Sequence, residues 1–277
     1  DLALARPVCT FFEAYWQDKF SNNVLPLRVG NDVATIEEVM GVIEILSSRR
    51  EYTKASPFVV LLGKGDHEVT SSWTPSLGPV RQTMLAITHS NITFIGQGIG
   101  ETMILGGIGI ANVQNITLKQ LTVTNTNGFG ILMHGAEVEL VDVATVHCGQ
   151  MGIALQCSAA GAPQLVATRC EMSNNRGSGL YIINTENISH NVRLKNCISH
   201  HNSMSGIHVT GKGVTNLHGD ATAIHSNGGY GICASESAKV LLHLPSHHNT
   251  IYNNGHQDRL TIRGGTITNV EDEEEDN

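Results

Sequence analysis

Between residues 105 and 235 the chain repeats a short apolar alternation behind a glycine. Gly109-Ile110, Gly130-Ile131, Gly152-Ile153, Gly179-Leu180, Gly206-Ile207 and Gly231-Ile232 follow one another at intervals of 21, 22, 27, 27 and 25 residues. These periods are too short for a propeller blade and suit one coil of a solenoid. One and three residues after the glycine stand Ile131 and Met133, Ile153 and Leu155, Leu180 and Ile182, Ile207 and Val209, and Ile232 and Ala234. The i, i+2 spacing is strand periodicity. Twelve, nine and seven residues before it stand Leu118, Leu121 and Val123; Leu140, Val143 and Thr145; Ala167, Cys170 and Met172; and Leu194, Cys197 and Ser199. Apolar or small side chains thus recur at fixed offsets, so that like stacks on like from coil to coil.

The bends keep the same register. Five residues before the glycine come Asn125, His147, Asn174, His201 and Ser226, followed by Thr126, Cys148, Asn175, Asn202 and Asn227. Asn tolerates left-handed backbone and its amide can bond the equivalent group one coil away, which predicts an Asn/His/Ser ladder at the bends. Short strands, polar bends and the absence of a helix-length apolar stripe predict an all-β fold, a single-stranded parallel β-helix whose stacked side chains fill its bore. The N-terminal third reads differently. Phe11, Phe12, Tyr15, Trp16 and Phe20 are expected to pack over an open end of the solenoid, and Thr35 to cap an amphipathic helix reaching about Arg50, with Glu38 as its capping-box partner. Such a helical cap would hide an exposed strand edge. The resulting division is a capping segment over 1–57, the β-helix over 58–270 and an acidic tail over 271–277.

Composition sharpens this picture. Glycine accounts for 29 of 277 residues, while charged residues make up only 15%, well below the usual ~25%. The net charge of −8 is largely local, because residues 271–276 hold six of the 25 acids; setting them aside leaves 19 acids against 17 bases. A body this close to neutral argues against a nucleic-acid partner, and no apolar run is long enough for a membrane span, so a soluble protein is expected. The six cysteines include no CxxC spacing, which leaves neither a zinc knuckle nor a redox motif. Cys170 and Cys197 share an inward position one coil apart, where a buried free-thiol ladder is expected rather than a disulfide. The chain opens on Asp1 without a signal-like segment, so the compartment stays open, secretion included. Three sequons, at Asn91, Asn115 and Asn187, would suit glycosylation, but each also falls at a bend.

The run Phe58-Val59-Val60-Leu61-Leu62-Gly63-Lys64-Gly65-Asp66-His67-Glu68-Val69, the run Asn91-Ile92-Thr93-Phe94-Ile95-Gly96-Gln97-Gly98 and the Asn/His-turn-Gly-Ile coils resemble the right-handed parallel β-helix, or pectin-lyase-like, superfamily over about residues 35–270. In that resemblance the first run holds a first strand and a glycine turn. Many members of the superfamily cleave or epimerise polysaccharides. The motifs of its polygalacturonases are met only in fragments, at Asn125-Thr126-Asn127, Met133-His134-Gly135 and Arg193-Leu194-Lys195. An Asp-Asp pair is missing, as is the Asp cluster with which pectate lyases bind calcium.

Candidate chemistry is therefore sparse. Ten residues before the glycine runs a polar column of Gln120, Asp142, Arg169 and Asn196, flanked by Glu171, Arg193 and Lys195. Asp142, Arg169, Glu171, Arg193 and Lys195 are the catalytic candidates, set against a solvent-exposed ladder of ion pairs. Tyr181 and His208 are the binding candidates, Tyr181 pointing outward as a sparse sugar platform. Asp66-His67-Glu68 offers three ligand types, yet alternation sends His67 to one side and both acids to the other, so the triplet reads as a turn into the first strand. Histidines at bends (His147, His200, His201, His225, His247 and His248) read as ladder groups rather than as a zinc site. No metal and no cofactor are expected. The function expected is a non-catalytic β-helix presenting an extended face to a polysaccharide or protein partner. The alternatives are a polysaccharide lyase or epimerase, and a structural component of a larger assembly.

Overall fold

The computed structural model describes residues 26–75, 78–157, 163–183, 189–243 and 250–271. The aromatic residues Phe11 to Phe20, the sequon at Asn187, His247, His248 and the acidic tail beyond Glu271 lie outside these residues. Within them the predicted parallel β-helix is present as about six turns, and all of its inter-strand ladders are parallel. Sixteen described strands form one folded sheet and eight form a second. The larger sheet has a main stack running from Leu27–Val29 through Phe58–Leu62 and Ile92–Ile95 to Thr266–Val270, and a flanking stack from Gly65–Glu68 to Ile251–Tyr252. The two stacks share the long strands Ile116–Thr124 and Glu137–Val146. The smaller sheet runs from Met84–Ile87 to Arg259–Ile262.

Each predicted inward column is buried and in register. Leu118, Leu140, Ala167 and Leu194 stack in order, as do Ile131, Ile153, Leu180, Ile207 and Ile232. Burying one such aliphatic side chain stabilises the fold by about 1.5–3 kcal/mol, and the columns make that burial repetitive. Leu118 and Leu121 lie three positions apart, which a flat strand would place on opposite faces. Gln120 between them has φ 55°, and Asp142, Arg169 and Asn196 repeat this left-handed bend at 54°, 52° and 55°. The bend turns the chain by one corner and aims both flanking apolar residues into the bore.

Several sequence expectations are corrected. Ile108 pairs with Ile131, so the first coil glycine is Gly107, 23 residues before Gly130. Gly109 instead faces out, where the Trp73 ring occupies the space of its missing Cβ. Asp66-His67-Glu68 is not a turn; it lies within Gly65–Glu68, a strand paired with Thr102–Leu105. The first described strand of the main stack is Leu27–Val29, which pairs with Phe58–Leu62 from a position ahead of the helix. The helix itself, α1, spans Ile36–Ser47, ending before Arg50, and buries Ile36, Val39, Val42 and Ile43. The Thr35 hydroxyl accepts the Glu38 N–H at 3.3 Å, as predicted, but the Glu38 carboxylate reaches back one residue further, to the Ala34 N–H at 2.8 Å. Glu37 fastens α1 to the coils by accepting the Thr70 and Ser71 N–H groups at 2.7 and 2.6 Å.

The bend ladder is built of asparagine. Asn175, Asn202 and Asn227 are buried, and each donates its amide N–H to the next Oδ1 along the axis: Asn175 to Asn202 at 2.8 Å, Asn202 to Asn227 at 2.9 Å and Asn227 to Asn254 at 3.0 Å. Each also binds backbone, Asn202 through the Met172 carbonyl at 2.9 Å. His147, Asn174, His201 and Ser226 occupy the preceding, left-handed position with φ 52–56°. Asn125, expected in their column, is buried one position further on, where its carbonyl accepts from Gly149 as that of Cys148 accepts from Arg176. The first bend is thus one residue shorter, and Cys148 interrupts the amide column.

Asn202→Ala would remove the acceptor shared by the Asn175 backbone and side-chain N–H groups, and one donor to the Met172 carbonyl, in the interior, at roughly 1–3 kcal/mol for each group left short of a partner. Urea unfolding is expected to show a loss of at least about 2 kcal/mol, against about 1 kcal/mol for Asn174→Ala, which gives up only an exposed residue suited to φ 56°. A second test uses His190. Its side chain is buried beneath Gly213, and burial, only partly offset by the Lys212 backbone, pushes its pKa down to about 4. The neutral imidazole therefore favours the fold above the ordinary histidine range near pH 6.5, and that contribution is lost as pH falls from there through 4. His190→Leu should flatten the stability profile between pH 7 and 4 relative to wild type.

Candidate functional site

The outer side of the main stack carries a polar groove. Alternation fixes its composition: within Glu137–Val146, Val138 and Leu140 are buried, while Glu137 and Glu139 face outward. Parallel pairing then sets Thr93, Thr117, Glu139, Val166, Arg193 and Asn216 side by side across successive coils, at about 4.8 Å per step. Two depressions lie on this face, of about 420 and 360 Å³, and they share Gln164 and Val166. The first is lined by Lys54, Lys119, Glu137 and Glu139 among others, and the second by Asn191, Arg193, Asn216 and His218. Lys54 reaches Glu137 at 3.1 Å, and the Thr117 hydroxyl donates to Glu139 at 3.4 Å. At the far end His218 and His243 stack with ring centres 4.0 Å apart, and His243 meets the Asn216 amide oxygen at 3.0 Å.

The five catalytic candidates separate onto three surfaces. Arg193 and Lys195 face outward along the groove strand His190–Lys195. Asp142 and Arg169 sit at the left-handed corner beside it, joined by two hydrogen bonds of 2.7 Å each from the guanidinium to the carboxylate. That hydrogen bonding holds the Asp142 carboxyl below its usual range and raises Arg169. Both are solvent-facing, so the pair is already satisfied and presents little uncommitted charge. Glu171 lies around the corner, where it accepts from the Ser173 hydroxyl at 2.7 Å and meets His200 at 3.2 Å. Sequence reasoning passed over Glu137 and Glu139. Their signal was the alternation Glu137-Val138-Glu139-Leu140, in which two carboxylates share one face.

The binding candidates belong to another surface. Tyr181 and His208 are register partners on the smaller sheet, with ring centres 4.9 Å apart. Burial raises the Tyr181 phenol and lowers His208, so both are neutral at pH 7. Histidines also gather on the flanking stack, where His200 lies parallel to His225 at 5.1 Å, His225 to Tyr252 at 4.9 Å, and the His200 and His201 Nδ1 atoms are 2.7 Å apart. Among the described residues no group of three or more His, Cys, Asp or Glu side chains is arranged to hold a metal ion. Cys170 and Cys197 are buried free thiols; the hydrogen bond between them and burial push the Cys170 thiol up. Asn91 and Asn115 both sit at left-handed bends, and Asn115 donates to the Asn91 side chain at 2.8 Å.

The family model for the right-handed β-helix region matches residues 81–255, and the chain belongs to this family. No curated protein matches it in sequence. Among solved structures it is similar to ORF18 of Geobacillus virus E2, with 13% identity and a TM-score of 0.47 over 98% of this chain, which spans 63% of the phage chain. It is also similar to a pectin methylesterase in complex with a hexasaccharide, with 11% identity and a TM-score of 0.45 over 89% of this chain and 93% of that one. A third likeness is to the A-module of the mannuronan C-5 epimerase AlgE6 of Azotobacter vinelandii, with 15% identity and a TM-score of 0.44 over 84% of this chain and 82% of that module. At these scores the three likenesses carry no argument about function.

The corner pair makes a direct test. Asp142→Asn keeps a residue that tolerates left-handed backbone and removes only an exposed ion pair, so the thermal midpoint should stay close to wild type. Asp142→Val places a β-branched residue at φ 54° and should cost about 1–2 kcal/mol. Thermal unfolding of the two variants separates a backbone role from an electrostatic one.

Proposed function

We propose that the protein is a non-catalytic β-helix that holds an extended polysaccharide along the outer groove of the main stack. The observation that carries this reading is the outward row from Thr93 to Asn216, in which hydrogen-bonding side chains repeat at the strand spacing on either side of Val166 across two joined depressions. A polymer with its own short repeat can meet such a row at several points, each weak and together sufficient. The groove mixes Lys54, Lys119 and Arg193 with Glu137 and Glu139, which suits a neutral or mixed-charge glycan better than a polyanion.

A second reading, an enzyme acting on the same polymer, is favoured by one feature. Glu137 and Glu139 occupy successive outward positions of a single strand, and glycan hydrolysis uses two carboxyl groups, one as acid and one as base or nucleophile. Arg193 and Lys195 would serve a lyase or epimerase by neutralising a substrate carboxylate. Against the hydrolytic role, Glu137 is already paired with Lys54.

Affinity electrophoresis in gels cast with neutral and uronate polysaccharides tests the main reading. Retardation by at least one polymer is expected, and Arg193→Ala combined with Asn216→Ala should weaken it about tenfold, some 1.4 kcal/mol. Equal retardation of wild type and the double variant would move the binding face elsewhere. New reducing ends or unsaturated products that vanish in Glu139→Gln would replace the binding reading with the enzymatic one.

A further inference from the structure

The smaller sheet carries a second apolar cluster on its outer side. In the strand Ile131–His134, Ile131 and Met133 fill the bore, yet the outward Leu132 and His134 are buried as well. They are covered where the chain crosses at Trp73 and Arg81, whose backbones pair through N–H to O bonds of 2.8 and 2.7 Å. Trp73 lies against Gly109, where any Cβ would run into the indole, and it meets His134 edge-on at 5.5 Å. The Arg81 guanidinium sits 4.8 Å above the Phe129 ring. Met84, Phe129, Leu132 and Ala154 complete the cluster under Trp73.

This cover is tight but electrostatically one-sided. His134 is 6% exposed, and its Nε2 and the Arg81 Nε are buried without a hydrogen-bond partner. The neighbouring strands bring Ala111 and Gln156 into register beside His134, neither of them ionisable. Arg81 is the charged group that acts on it, and burial together with that cation holds the His134 pKa below its ordinary value. An imidazolium at this position would face a like charge and find no acceptor at Nε2, a costly state while the cover is closed.

We propose that Trp73 and Arg81 form an acid-released latch on the smaller sheet, which lets go when His134 is protonated and uncovers the apolar patch of Phe129, Leu132 and Ala154. Because the closed state prefers neutral His134, the latch holds fully above about pH 6.5 and weakens as the pH falls below it. The groove on the main stack keeps its shape, since its strands do not contribute to the cluster.

Hydrogen exchange of the full chain, read at the Trp73 and Arg81 amides and corrected for intrinsic rates, tests the latch. Protection should drop about tenfold or more between pH 7.5 and 5.0, while the amides of Ile131 and Ile153 stay protected. In His134→Phe, which keeps a ring against Trp73 but cannot titrate, the drop should vanish. Arg81→Met removes the like charge and should move the opening of the Trp73 amide to lower pH. Equal protection at both pH values in wild type, a drop that persists in His134→Phe, or an opening pH unmoved by Arg81→Met would each overturn the latch.

Discussion

The fold depends on one constraint, that equivalent residues of successive coils lie directly beside each other in parallel ladders. A parallel ladder has no compact turn to set its register, so the register must be fixed by the side chains that stack. Here it is fixed twice. The aliphatic columns fill the bore, and the left-handed corner at Gln120, Asp142, Arg169 and Asn196 determines where each coil changes direction. A slip by one residue would carry a whole apolar column into solvent. The outward groove inherits its regularity from the same source, since Glu139, Val166 and Arg193 line up only because Leu140, Ala167 and Leu194 do.

The repeat was legible in the sequence because apolar identity recurred at fixed offsets, and from Gly130 onward those offsets match the observed register. It was misleading at Gly109, where a glycine before isoleucine imitated the coil signal while serving Trp73 on the outer face. Asn125 misled for a related reason: a bend shorter by one residue shifts the offset without changing the residue type. Pairings between distant segments, such as Leu27–Val29 with Phe58–Leu62, left no local trace. Neither did the contact of Trp73 with His134, which depends on a crossing that periodicity does not encode.

The candidate site was less legible than the fold. Counting back from the glycine brought Asp142 and Arg169 into one column correctly, but that column is a corner, and its polar residues answer to backbone conformation before chemistry. Glu137 and Glu139 escaped attention because an alternating strand offers two acids as ordinary surface, and only the neighbouring coils show what stands beside them. A polar surface on a repeat protein is best read across the coils rather than along the chain.

The asparagine column has a direction as well as a position. Every side-chain-to-side-chain bond in it runs toward the C-terminal coils while the other amide N–H turns back to a carbonyl of the preceding coil, and the last, Asn254, donates to the Asp258 carboxylate at 2.7 Å. Side-chain dipoles aligned head to tail add up, and hydrogen bonds in such a chain polarise one another. The donor end of this internal array is met by a carboxylate oxygen, much as an acidic residue answers the N-terminus of an α-helix. Asp258 thus stands where the next asparagine would, its Oδ1 accepting both the backbone and the side-chain N–H of Asn254 as the Oδ1 of Asn202, Asn227 and Asn254 does for the asparagine before each.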